Sequence, residues 1–145
     1  MKNIMKEAHN LTKKIIRKGD SYKATFRICL SYVHSQVRKG VNKMIELKGT
    51  EKQVKWANDI RKNIIEACDL AVIEFNKVGT KRSKRMVCNT EKAKEIFLSI
   101  EKAVFFIDNF KGFAGNMDQD SRVNLIMRTM QSIKKDEEVT IDKIK

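Results

Sequence analysis

Not one of the 145 residues is proline. Proline is the residue that most reliably ends or kinks a helix, so no position here compels a helix to stop. Lys, Glu, Ile and Ala are abundant, and apolar residues recur at helical spacing in five segments. The pattern predicts an all-α protein, a single compact domain of about five helices with an N-terminal basic helical hairpin.

The first helix is predicted from about Lys2 to Lys18. Ile4, Ala8, Leu11 and Ile15 form its inner stripe, with Lys2, Lys6, Lys13 and Arg17 opposite. Gly19-Asp20-Ser21 breaks it and caps a second helix over about 21–39. The expected buried face of that helix is Tyr22, Phe26, Cys29, Leu30, Val33 and Val37, and Gly40 ends it. Residues 1–40 therefore read as the basic hairpin.

Residues 47–111 read as the central long helices, after an ambiguous Val41–Lys48 stretch with extended character. Thr50-Glu51-Lys52-Gln53 is a capping-box pattern. It opens a third helix to about Lys77, with Ala57, Ile60, Ile64, Ala71 and Phe75 inward and Gly79 as its stop. Lys81-Arg82-Ser83-Lys84-Arg85 reads as a basic loop, after which Asn89 or Thr90 caps a fourth helix to about Lys111. Ala103–Ile107 is apolar nearly all round, so this fourth helix is expected at the centre, wrapped by the others. Gly112 and Gly115 frame a flexible connection carrying Phe113. The region 118–135 holds a last helix presenting Val123, Ile126, Met130 and Ile133. The polar tail 136–145 reads as disorder or as a short strand on an edge.

Charge is distributed unevenly along this frame. Residues 1–49 hold twelve Lys/Arg against three acids, and 80–88 hold four Lys/Arg and no acid. The remaining blocks balance, so these two stretches account for the whole formal +13. A chain needing charge only for solubility can intersperse it, and segregation points to a polyanionic partner. On the second helix Lys23, Arg27, His34 and Arg38 share one stripe, with Ser31 at its edge. Lys13, Lys14, Arg17 and Lys18 lie at the hairpin turn, and Lys81, Arg82, Lys84 and Arg85 make the most concentrated basic run. Guanidinium and ammonium arrays of this kind bind phosphate backbones, chiefly through counterion release. These twelve residues are the candidate site for nucleic acid or another partner. Trp56, the one tryptophan, reads as a rim residue at a helix seam, or as a stacking ring if exposed.

Catalytic signatures are missing. His9 and His34 are the only histidines, and no H-E-x-x-H, Cys/His cluster, Gly-rich phosphate loop or G-x-S-x-G elbow occurs. The expectation is a protein with no enzymatic activity, no metal and no cofactor. Cys29, Cys68 and Cys88 form no CxxC pair and read as reduced packing residues, consistent with the cytoplasm. No apolar run approaches the roughly 20 residues of a membrane span, and Met1–Lys6 has no signal-peptide core.

Leu47-Lys48-Gly49-Thr50-Glu51-Lys52-Gln53, followed by Trp56-Ala57 and Asp59-Ile60-Arg61, resembles a module of small helical proteins encoded in accessory regions of phages and plasmids, especially of Firmicutes. In those proteins a Trp-Trp-Ile-Asp-Asn-Arg-like segment follows. Here Phe105-Phe106-Ile107-Asp108-Asn109-Phe110 takes that place, with Phe for both Trp and Phe110 where Arg is usual. Ala8-His9-Asn10-Leu11-Thr12-Lys13 is similar to leaders of such phage proteins. The resemblance covers roughly 47–110. It implies a mobile-element protein in the cytoplasm of a bacterial host, a setting where small non-enzymatic proteins inhibit host defence, anti-CRISPR proteins among them. Together with the basic surface, the expectation is an inhibitor that engages nucleic acid or a Cas-type ribonucleoprotein effector. The alternatives are a DNA- or RNA-binding regulator of the element, or a structural, oligomeric protein using Phe113 and the Met117/Met127/Met130 region.

Overall fold

The computed structural model describes residues 3–39, 44–115 and 117–145. Among them are seven α-helices: α1 (Ile4–Ile15), α2 (Tyr22–Arg38), α3 (Glu51–Val78), α4 (Lys81–Ser99), α5 (Ala103–Phe110), α6 (Gln119–Ser132) and α7 (Ile141–Ile144). A 3₁₀ turn, Lys111–Phe113, follows α5. The described residues contain no strand, and one buried core unites the helices. The predicted all-α single domain is therefore correct, with seven helices where about five were expected. The expected stop at Gly40 and residues 41–43 lie outside the described residues.

The central element is α3, and the 103–107 segment expected there lies on its flank. The 28 residues of α3 span about 42 Å, and α4, α5 and α6 pack on it with α2 alongside. The predicted capping box is present: Gln53 N donates to Thr50 Oγ1 at 3.4 Å and Thr50 N to Gln53 Oε1 at 3.1 Å. Ala57, Ile60, Ile64, Ala71 and Phe75 are all buried, as their spacing predicted. Gly79 then turns the chain with φ +68, a conformation that a Cβ disfavours.

Past this turn the sequence reading needs correction. Lys81-Arg82-Ser83-Lys84-Arg85 is no loop but the start of α4, capped by Thr80 Oγ1, which accepts from Ser83 N at 3.1 Å. Asn89 and Thr90, expected to cap, are buried inside the helix, and Thr90 Oγ1 donates back to Met86 O at 2.7 Å. That bond satisfies the hydroxyl within the helix and removes its tendency to cap. The same helix also ends earlier than predicted. Residues 100–102 leave helical geometry to pair with the 44–49 segment: Ile45 N donates to Leu98 O, Lys48 N to Glu101 O and Ala103 N to Lys48 O. A Cβ on Gly49 would stand 3.1 Å from the Ala103 Cβ, so glycine permits this approach. Arg61, only 2% exposed, holds the segment from α3. Its Nη1 donates to Ile45 O at 2.8 Å and its Nη2 to Asn58 Oδ1 at 3.1 Å, with the guanidinium over the Phe106 ring. Burial lowers the pKa of this guanidinium.

Around α3 the apolar faces close. Ala103, Phe106 and Phe110 of α5 are buried while Val104 is exposed, and Phe97 meets Phe110 edge-on with centroids 5.3 Å apart. Phe113 and Met130 are core residues, so neither offers the apolar contact surface considered for an oligomer. Val123, Ile126, Met130 and Ile133 are buried as predicted. The tail is neither strand nor disorder: Val139 and Ile144 are buried, and the short α7 packs against α4.

Candidate nucleic-acid interface

The hairpin is built much as its sequence predicts. Asn3 caps α1, Gly19 turns the chain with φ +99, and Ser21 caps α2. The inner face of α2 is rotated from the predicted one, however. Thr25, Cys29, Tyr32 and Val33 are buried, whereas Tyr22 and Val37 are exposed and Phe26 and Leu30 are half-buried. Tyr32 decides the rotation, because its hydroxyl donates to Asp69 on α3. Lys94 Nζ of α4 donates to the same Asp69 oxygen at 2.6 Å and to Gln36 Oε1 at 3.2 Å. Burial, with Asp69 beside it, pushes the Tyr32 phenol upward and keeps it a donor. One carboxylate thus holds α2, α3 and α4 in register.

At the other end of α2, Lys77 of α3 grips the hairpin turn. Its Nζ donates to Ile15 O at 3.0 Å and to Asp20 Oδ2 at 2.9 Å. The bond from Lys77, then that from the Arg17 backbone N–H, lowers the Asp20 carboxyl pKa. The turn, the start of α2 and the start of α4 therefore lie at one end of the molecule, where α3 finishes.

The twelve candidate residues divide between this end and the length of α2, whose last turns carry His34 and Arg38. Lys14 is ion-paired with Glu66, and Arg17 lies 3.7 Å from Glu74, both on α3. These two cations hold α1 against α3. Lys13 and Lys18 are exposed, as are Lys23, Arg27, His34 and Arg38 along α2. Two open depressions adjoin this stripe, about 350 and 490 Å³. Arg27 lines the first, His34 and Arg38 the second, and Ser31 and Ser35 both. On α4, Lys81, Arg82 and Lys84 are exposed and Arg85 is half-buried. No carboxylate among the described residues lies within 4.0 Å of any of the four, and the first turn of α4 holds no acid.

Trp56 is 45% exposed. It sits near the start of α3, away from the basic end. Cys29 and Cys68 are buried packing residues, and burial raises both thiols; Cys88, expected to pack, is exposed. Among the described residues no three His, Cys, Asp or Glu side chains gather as metal ligands, and no helix is long and apolar enough to cross a membrane.

No protein-family model, curated protein or solved structure matches this chain.

Sequence reasoning missed an aromatic group on the hairpin. His9 Nδ1 and the Tyr22 hydroxyl are 2.6 Å apart, and the His9 and Phe26 rings stack with centroids 4.3 Å apart. The i, i+4 spacing of Tyr22 and Phe26 was visible. That spacing predicts the buried face, where aromatic residues at helical intervals usually belong, and the structure leaves Tyr22 exposed instead.

Proposed function

We propose that this chain is a non-enzymatic binder of nucleic acid or of a ribonucleoprotein surface, acting through the cations of α2 and of the first turns of α4. The observation that carries this reading is that the cations of α2 and of the start of α4 stand together with no carboxylate beside them among the described residues. Lys14, Arg17, Lys39, Lys77 and Lys94 each sit beside a carboxylate. Lys23, Arg27, Arg38, Lys81, Arg82, Lys84 and Arg85 have no such partner among the described residues. Lys81 and Arg82 stand in the first turn of α4, at the positive end of its dipole, where a cation costs stability on the order of 0.3–1 kcal/mol. They do not serve the helix, and a phosphate backbone would offset that cost. The resemblance of 47–110 supports a narrower form of the proposal: an inhibitor of host nucleic-acid machinery encoded by a phage or other mobile element, in particular an anti-CRISPR protein.

Fluorescence anisotropy with a labelled oligonucleotide over a range of salt tests the reading. Arg27→Glu/Arg38→Glu, and separately Lys81→Glu/Arg82→Glu/Lys84→Glu/Arg85→Glu, are expected to weaken binding. Each lost phosphate contact flattens the salt slope by about 0.7–0.9. Unchanged affinity and slope in both folded variants refute it. An inhibitor of a ribonucleoprotein binds the assembled effector more tightly than bare nucleic acid. Capture of an effector from host lysate after nuclease treatment supports that form, and recovery of nucleic acid alone favours a regulator of the element.

A further inference from the structure

We infer that His9, Tyr22 and Phe26 form a base-stacking platform, and that the polyanion bound is single-stranded nucleic acid. This rests on the preceding proposal and deepens it. The His9 and Tyr22 ring planes differ by 21° and their centroids are 6.1 Å apart. With Nδ1 and the hydroxyl oxygen at 2.6 Å, that separation fits an end-to-end hydrogen bond between nearly coplanar rings. Phe26 backs the pair, 4.3 Å from His9 at 25° and 6.3 Å from Tyr22 at 6°. The result is a flat tile of two rings supported from one side by a third. His9 is exposed and Tyr22 is 42% exposed, so the tile does not seal the hairpin. Ala8, Thr12, Ile15 and Cys29 perform that sealing, and all are buried.

The surroundings favour a nucleotide over an apolar protein partner. Lys6 and Lys13 lie three and four residues from His9, on its face of α1. Lys23 and Arg27 each follow one of the α2 rings. All four are exposed, and none has a carboxylate within 4.0 Å among the described residues. Aromatic faces within a cationic groove are how proteins hold unpaired bases, because every base offers a π-face while its phosphate finds a cation. A duplex keeps its base faces stacked on one another and cannot use the tile.

The experiment compares three probes on the full chain at one salt concentration: an oligothymidylate, an abasic strand of the same length, and a duplex. Wild type is expected to bind the oligothymidylate at least about fivefold more tightly than the abasic strand. Tyr22→Ala and His9→Ala are expected to lose affinity for it by about fivefold to a hundredfold, the range for removal of one stacking ring. Tyr22→Phe, which keeps the ring, retains the preference. Affinity of both variants for the abasic strand stays unchanged, which separates stacking from misfolding. Equal binding of all three probes by wild type overturns the platform and leaves the polyanion reading standing. Binding of none of them overturns both the platform and direct binding of bare nucleic acid, leaving the ribonucleoprotein form to be read by effector capture.

Discussion

Asp69 is the side chain whose loss is expected to do most damage to the surface that carries the candidate site. One of its oxygens accepts from Tyr32 on α2 and from Lys94 on α4. Asp69→Ala leaves a buried phenol without an acceptor and an ammonium, 14% exposed, with Gln36 as its remaining hydrogen-bond partner. Breaking a fully buried pair costs about 3–5 kcal/mol, and an orphaned buried hydroxyl about 1–3. The Asp69 side chain is 26% exposed, so water replaces part of what is removed. The expected loss is about 2–4 kcal/mol. Urea unfolding followed by far-UV circular dichroism measures it. At about 2 kcal/mol per molar urea, the midpoint falls by roughly 1–2 M. If the uncompensated charge is the main cause, Asp69→Ala/Lys94→Met is more stable than Asp69→Ala alone by at least about 1 kcal/mol. A midpoint shift under roughly 0.3 M for the single variant refutes the assignment of Asp69 as the junction of three helices, and no recovery in the double assigns the loss to the orphaned Tyr32 phenol rather than to the charge.

Three further outcomes follow from the geometry. Lys14→Glu/Arg17→Glu is expected to lower thermal stability, because these cations face Glu66 and Glu74; an unchanged melting temperature would show the two pairs to be incidental. The carboxyls of Asp20, Glu101, Asp118 and Glu137 all have lowered pKa values, chiefly through side-chain bonds to Lys77, Lys48, Ser121 and Lys143 respectively. Their contribution is present above the unfolded carboxylate range near pH ~4 and is lost as pH falls below it, so acid titration should show stability level above that range and declining beneath it. Cys88 is expected to react at once with a thiol reagent and Cys29 and Cys68 only on unfolding; three fast thiols would contradict the burial of two.

Much of the fold was legible because it depends on local chemistry. The capping box at Thr50–Gln53, the turns at Gly19 and Gly79, and the inner stripes of α3 and α6 follow from hydrogen bonds and periodicity within a few residues. The candidate cations were legible too, since charge segregation is a property of composition along the chain. Which cations remain unpaired was not. Lys14 and Lys13 are adjacent and chemically alike, and only the distant Glu66 separates their roles. The exposed rings of His9 and Tyr22 were hidden for a related reason, since Tyr22 shares the helical spacing of residues that do pack inward.

By itself the sequence determined that the chain is helical, where its third and sixth helices turn inward, and that its surplus charge sits in two places. Those are short-range matters, decided by backbone propensity and the 3.6-residue repeat. Tertiary structure alone decided that α4 ends at Ser99 and that α2 turns Tyr32 inward and Tyr22 outward. Each of these outcomes hangs on a partner far away in the chain: Lys48 for the break after α4, Asp69 for the rotation of α2. A residue's own neighbours carry no record of such a partner, because the bond forms only once the helices have packed.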